Sequence, residues 1–524
     1  MTLEEEYEAS CSVKHRKQFS QFFTPESIAH IMVDWVLGKN DVKTILEPAF
    51  GTGIFTRLFL QSRSNVKITG FDIDSNIFNF LKNSGPYLDG IDLQLEDYLF
   101  NDWDNKYDAI ICNPPYSKFH NYPNKEAIKI VNKKLGSKLS GFTNLYGLFL
   151  LKSIYQLKEG GRIAYIVPSD FLNSNYGVEI KKYLLNQNVL RHIFLFDYKE
   201  NVFGNAVTTT SAILLLSKDS NNQAIHFSVI NTKNKLKDIS CVIDSYPKKD
   251  GEFTYKPTEI SPEIKWRAYY QNQESKNFKN LVPFSNFAKV VRGIATGANN
   301  YFIFNKSKAK EFNISKRYLL HCVTKSKDIY SPIFTYENCK TLEDSDDNIY
   351  IFNGVLGLNN DSVLNYVKTG ETEGVNKKHL PSKRTPWFSI ENRDIAPIWV
   401  GVFNRNKNIK FIRNEAKIRN LTAFHCVYFS GYKDVGIDLF FAYLMTEVAH
   451  KILGDNRREY GRGLNQFQPN DLNHALMLDI SILSVKNKED IKLLYKNYRD
   501  SLLSGYENKK YIDNINEILV KEFT

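Results

Sequence analysis

Between about residues 20 and 220, short β-type runs alternate with helical patterns, the signature of a mostly parallel sheet covered by helices. The strand candidates are 44–50 (TILEPAF), 66–74 (VKITGFDID), 93–98 (LQLEDY), 107–112 (YDAIIC), 162–167 (RIAYIV), 189–197 and 211–217 (SAILLLS). One predicted helix opens with Thr24 as N-cap and Pro25 as its first residue, and places Ile28, Met32 and Trp35 on one face. Another runs from about Thr143 to Lys158 and stops at Gly160-Gly161. Residues 218–280 are polar and charged, with Pro247, Pro257 and Pro262, and read as a tether carrying one extra strand (HFSVIN). Beyond it the alternation is lost, glycine and asparagine turns multiply (RGIATGANN, GVLGLNND), and one helix, about Ile437 to Leu453, ends at Gly454. The expected division is an α/β domain over 1–220, an extension or linker over 221–280, and an α+β domain over 281–524.

A length of 524 residues agrees with two or more domains at about 150 residues each. The 69 Lys and Arg against 58 Asp and Glu leave a formal +11, which suits either a polyanionic partner or an AT-rich coding bias that enriches Lys, Asn, Ile, Tyr and Phe. Six scattered cysteines, none at Cys-x-x-Cys spacing, predict neither a disulfide framework nor a zinc site, and no metal is expected. The acidic MTLEEEYEAS and a longest apolar stretch of only Leu439 to Met445 predict a soluble bacterial protein of the cytoplasm, away from membranes.

The chemistry concentrates at strand ends. Glu47-Pro48-Ala49-Phe50-Gly51-Thr52-Gly53 follows the first strand, and its glycines permit a tight turn where backbone approaches a ligand. Asp72 ends the second strand, where α/β nucleotide folds place a carboxylate on ribose hydroxyls. An ordinary strand-to-helix turn would share the Gly-x-Gly, but together the two features point to an adenosine-containing cofactor. The strand 107–112 then runs into Asn113-Pro114-Pro115-Tyr116. Its prolines fix the backbone and leave the Asn113 amide and the Pro114 carbonyl as acceptors, with Tyr116 as a flat face. Two acceptors gripping the N–H bonds of a planar exocyclic amine would favour a pyramidal nitrogen with its lone pair aimed at an electrophile.

In this order the motifs resemble the γ-class, TaqI-like adenine-N6 DNA methyltransferases of type II restriction-modification systems. The chain carries Phe23-Thr24-Pro25, Glu47 to Gly53, Asp72, Asp97-Tyr98 and Asn113 to Tyr116. The resemblance implies a Rossmann-like S-adenosylmethionine-dependent methyltransferase domain with a mostly parallel seven-stranded sheet, followed by a C-terminal target-recognition domain. It implies that Thr24, Glu47, Ala49, Asp72, Asp97 and Tyr98, with the turn glycines Gly51 and Gly53, hold S-adenosylmethionine. Asn113, Pro114 and Tyr116 would hold the target adenine, and Phe203 would stack on its other face. The family's partners would be double-stranded DNA and a separately encoded restriction endonuclease acting on the same site.

Residues 371–430 hold eleven Lys and Arg against five Asp and Glu, with Trp387, Phe388, Trp399 and Phe403 between them. That mixture suits a surface that neutralises phosphates, and Lys383, Arg384, Arg405, Lys407 and Arg413 are its candidates. Arg462, in Tyr460-Gly461-Arg462-Gly463, joins them, because this stretch and Arg292 to Gly297 resemble recurring elements of TaqI-like recognition domains. Cytosine-C5 transfer is excluded, since none of the 16 prolines precedes a cysteine nucleophile. Protein-glutamine, RNA-base and cytosine-N4 methyltransferases remain alternatives on the same geometry, as does a catalytically silent DNA-binding subunit.

Overall fold

The computed structural model describes the chain apart from residues 1, 39–40, 63–65, 85–89, 117–121, 197–210, 221–223, 233–234, 249–250, 272, 406–407 and 461–463. Its contacts divide the chain into two compact units at about residue 272.

The first unit is built on a sheet whose strands are β1 (Thr44–Glu47), β2 (Lys67–Asp72), β3 (Ile91–Leu95), β4 (Tyr107–Cys112), β5 (Leu157–Pro168), β6 (Leu190–Phe196), β7 (Ser211–Ser217), β8 (Ile225–Ile230) and β9 (Phe253–Tyr255). Their spatial order is β3-β2-β1-β4-β5-β7-β6-β8-β9. Strands β7 and β9 run antiparallel to their neighbours and the other pairings are parallel. The apolar runs have a simple cause. Side chains alternate across a strand, and helices cover both faces, so both sets must be apolar. In β4, Ala109 and Ile111 enter one core while Ile110 and Cys112 enter the other.

The helices of this unit are α1 (Leu3–Ser10), α2 (Val13–Gln18), α3 (Glu26–Leu37), α4 (Ile54–Ser62), α5 (Ser75–Ser84), α6 (Asn124–Leu135), α7 (Leu145–Gln156), α8 (Gly177–Asn186) and α9 (Leu236–Ser245). Helix α3 buries Ile28, Met32 and Trp35 as expected, and the Trp35 indole donates to the carbonyls of Ile163 (2.9 Å) and Leu216 (3.2 Å).

Several expectations are corrected. The sheet has two strands beyond the expected seven, and the first unit reaches residue 272 rather than 220. Residues 221–280 are therefore not a linker. They supply β8, α9 and β9, and Ile239, Val242 and Ile243 join the core. Their polarity reflects a sheet edge and one wet helix face. Helix α3 begins at Glu26, with Pro25 as its cap and no side-chain capping bond, so Thr24 is not the N-cap. Helix α7 ends at Gln156, and Gly160-Gly161 lie inside β5.

The second unit contains a five-stranded sheet in the order 288–292, 424–429, 398–401, 411–414, 333–334, and a four-stranded sheet in the order 303–304, 350–352, 319–323, 419–420. One large core lies against the helices Ile437–Leu444, Glu447–Gly454, Val485–Leu503 and Lys510–Phe523. The expected single helix over 437–453 is two, because the Thr446 hydroxyl donates to the Tyr443 carbonyl (2.7 Å) and caps the second helix through the Ala449 N–H (3.3 Å). Among the described residues no helix is long and apolar enough to cross a membrane.

Candidate active site

The chain steps outward from β1 through β2 to β3 and then returns to β4 on the other side of β1. This reversal opens a crevice at the carboxyl ends of β1 and β4, the place where open α/β sheets bind ligands. A pocket open to solvent lies there, with about 830 Å³ of space in and before it. Thr24, Glu47, Ala49, Gly51, Asp72, Asp97, Tyr98 and Asn113 line it, so residues separated by up to 89 positions meet as the motif order predicts.

The loop after β1 is shaped by crowding. Phe50, buried, donates its N–H to the Phe71 carbonyl (2.8 Å), and its ring fills the space above Gly53 and Gly70. A Cβ at Gly53 would meet that ring at 2.6 Å, and Gly53 also stands at φ +72°. Gly53 is not among the pocket's lining residues; its part is to let the chain turn there.

Each carboxylate is anchored differently. Asp72 accepts the N–H of Gly51 and of Asp74, both at 2.9 Å. These bonds fix both its oxygens, while burial raises its pKa to about 6. Asp97 accepts the Leu99 N–H at 2.9 Å, and burial raises its pKa too. Glu47 is 1% exposed. Its Oε2 accepts the Thr56 hydroxyl at 2.7 Å, whereas its Oε1 is buried without a hydrogen-bond partner among the described residues. Burial pushes this carboxyl up to about 8. An orphaned carboxyl oxygen on a pocket wall suits a cationic ligand, and the carboxylates of the pocket fit the sulfonium and ammonium charges and the ribose of S-adenosylmethionine.

At the end of β4 the Asn113 Nδ2 donates to the Phe22 carbonyl (2.8 Å) and to the Thr24 hydroxyl (3.0 Å). Its two N–H bonds are thereby spent, and Oδ1 is left as the acceptor. Pro114 is buried, Pro115 lines the pocket, and the half-buried Tyr116 ring lies nearly parallel to Phe22, with centroids 6.1 Å apart. Tyr98 touches the pocket, but its hydroxyl donates to Gln156 (2.6 Å) and lies 3.1 Å from Ser153, inside the core. Phe203 lies outside the described residues; β6 and β7, which flank it in sequence, are neighbours in the sheet.

The sequence reading missed three contributors. Asp74, 2% exposed, caps α5 through the Asn76 N–H (3.0 Å) and also receives Tyr7 (3.2 Å), His15 (2.8 Å) and Gln21 (2.6 Å). Glu4 adds a second tie, accepting Thr52 (2.6 Å) and Arg57 (2.5 Å). These bonds tie α1 and α2 to the sheet beside segment 19–24, which lines the pocket. Only the capping role of Asp74 has a local signal. Lys152, fully buried, donates to the carbonyls of Tyr98 and Asn101 beneath Asp97, and burial pushes its ammonium down to about 7. Asp74→Ala would remove the carboxylate that accepts from the buried Tyr7 hydroxyl and from the half-buried His15 and Gln21. We expect a loss of about 3 kcal/mol of stability and a raised KM for the methyl donor, read by thermal unfolding and by kinetics.

Among the expected phosphate ligands, Lys383 is exposed, with Nζ 2.8 Å from His379 Nε2. The half-buried Arg384 donates its guanidinium to the carbonyls of Ala295, Thr296 and Ser389 and so holds the Arg292 to Gly297 turn. Arg413 is likewise engaged internally, donating to the Pro397 carbonyl (3.2 Å) and pairing with Asp438 (3.5 Å). Arg405 stands in a strand opposite Leu464, and Lys407 and Arg462 lie outside the described residues.

Comparison with known proteins agrees with this geometry. A family model described as N-6 DNA methylase matches residues 6–301, and one described as the C-terminal domain of the type II methyltransferase M.Eco57I matches 264–512. The chain is similar to the type II methyltransferase M.AccI of Acinetobacter calcoaceticus, with 47% identity over 526 residues that cover 100% of this chain and 97% of that one. It is also similar to M.HindII of Haemophilus influenzae, with 26% identity over 76% of this chain and 73% of that one. Among solved structures, the type IIL restriction-modification enzyme MmeI, in complex with DNA, shares the fold with a TM-score of 0.63 at 14% identity, over 99% of this chain and 77% of that one. Matched by the methylase model over more than half its length and by a type II methyltransferase from end to end, the chain belongs to the N-6 DNA methylase family, as a type II restriction-modification DNA methyltransferase that uses S-adenosylmethionine.

Proposed function

We propose that the enzyme methylates N6 of an adenine turned out of duplex DNA at one recognition sequence, in the bacterial cytoplasm. By that reading it shields host DNA from a separately encoded endonuclease that cuts the same site. The observation that carries it is the Asn113 amide, whose two N–H bonds are already spent, so that Oδ1 serves as acceptor in the same pocket as the three carboxylates.

The residues divide the work. Asp72 and Asp97 would hold the ribose and the adenine of the cofactor, and Glu47 its positive charge. When bound, S-adenosylmethionine supplies an electrophilic methyl carbon on sulfur. Asn113 Oδ1 and the Pro114 carbonyl would accept the two N–H bonds of the target amine, turning its lone pair toward that carbon. The S–C bonding pair would leave with the cofactor's sulfur and the methylated nitrogen, made acidic, would shed its proton to water, so the residues at Asn113 and Pro114 need supply no strong general base. Tyr116 would stack on the extruded base and Phe203 would close its other face, offsetting an extrusion that costs a few kcal/mol. In the C-terminal unit, Lys383, Arg405, Lys407 and Arg462 would engage phosphates, while Arg384 and Arg413 serve the fold.

The test is to sequence genomic DNA from a host expressing the protein, by a method that reports N6-methyladenine and N4-methylcytosine. A single motif carrying N6-methyladenine is expected. Marks on cytosine, or none, would overturn the reading.

A further inference from the structure

Thr24 stands just before helix α3 and would ordinarily cap it, yet the cap is Pro25 and makes no side-chain bond. The Thr24 hydroxyl, 5% exposed, instead accepts one N–H of Asn113 at 3.0 Å, and the Phe22 carbonyl accepts the other at 2.8 Å. A carboxamide has two ends of nearly equal size and opposite chemistry, and its terminal torsion is soft. A flipped Asn113 would face the Phe22 carbonyl with oxygen against oxygen and would present donors to an amine that also donates. The carbonyl, having no hydrogen to give, therefore sets the sense of the amide, and the hydroxyl holds its twist.

We infer that Thr24 is a positioning residue for methyl transfer, keeping the Asn113 amide oriented with its oxygen toward the target nitrogen, rather than a group that acts through cofactor affinity. The inference rests on the role proposed for Asn113. Segment 22–24, whose Phe22 ring also lies 6.1 Å from that of Tyr116, then serves the acceptor base as well as the donor pocket.

Kinetics of Thr24→Val, Thr24→Ser and Asn113→Ala, with the cofactor Kd of each measured by calorimetry, test it. Valine keeps the shape and removes the acceptor, leaving one amide N–H without a partner. At saturating DNA and cofactor, kcat of Thr24→Val should fall about 10-fold or more, while the cofactor Kd stays within about 3-fold and Thr24→Ser restores turnover. Thr24→Ala replaces valine if that variant does not fold. Undiminished kcat with a raised cofactor Kd would overturn the inference, because Thr24 would then serve only the donor. Wild-type turnover by Thr24→Val beside an inactive Asn113→Ala would overturn it while sparing the proposed reaction. Full activity of Asn113→Ala would remove both.

Discussion

Replacing Asn113 with alanine should lower methyl transfer by about three orders of magnitude while DNA and cofactor affinities change little. The amide is one of two acceptors meant for the target nitrogen, and removing one preorganised group of this kind typically costs 10²- to 10³-fold in kcat, about 3–4 kcal/mol. The upper end is expected here. An adenine amine has its lone pair delocalised into the ring and must be reshaped before it can attack, whereas an oxyanion hole acts on charge that forms regardless. Binding should survive because Asn113 carries none of the expected phosphate contacts, and the cofactor carboxylates Asp72 and Asp97 are fixed by backbone N–H groups that the substitution does not touch. Single-turnover methylation together with a gel-shift titration checks both halves. Comparable turnover by the mutant would end the proposed role.

The second large effect is a proton. Burial pushes Glu47 up to about 8, so at neutral pH the ligand-free enzyme holds this carboxyl protonated. A cationic cofactor against its buried Oε1 stabilises the ionised form, so binding near pH 7 should expel close to one proton. The sign follows from linkage. When binding releases a proton, affinity strengthens as pH rises, by up to about 10-fold per pH unit below the free-state pKa, and levels off above about 8. Calorimetry in two buffers of different ionisation heat reads the proton directly, and Glu47→Gln should abolish the release near pH 7 and the rise in affinity toward pH 8, leaving only a contribution of Asp72 below about pH 6. The same shift has a stability consequence. Between the ordinary carboxylate range and about 8 the folded chain holds a proton that the unfolded chain has lost, so ligand-free stability should fall as pH rises through that window.

The candidate site was legible because its signals are local. Glu47 to Thr52, Asp72, Asp97 and Asn113 each follow or end a strand, and all of them line one crevice. What escaped depends on side-chain choice. Thr24 before a proline reads the same whether its hydroxyl caps a helix or holds an amide 89 residues away. Arg384 and Arg413 added to a basic stretch, yet their guanidiniums serve carbonyls of their own unit, and composition does not distinguish a phosphate from a peptide oxygen. Residues 221–280 looked like a tether because edge strands and surface helices are half polar by construction. The break at Thr446 hid inside a continuous apolar pattern, since each of the two short helices keeps the period of one.

The ties on Asp74 also order events during synthesis. Tyr7, His15 and Gln21 leave the ribosome first, but the carboxylate that receives them is made 53 to 67 residues later, after β2. Segment 7–21 must therefore wait for this partner to emerge, while the Glu4 tie to Thr52 and Arg57 is made sooner. A pause in translation before codon 74 would lengthen that interval, during which Tyr7, His15 and Gln21 lack the carboxylate that receives them.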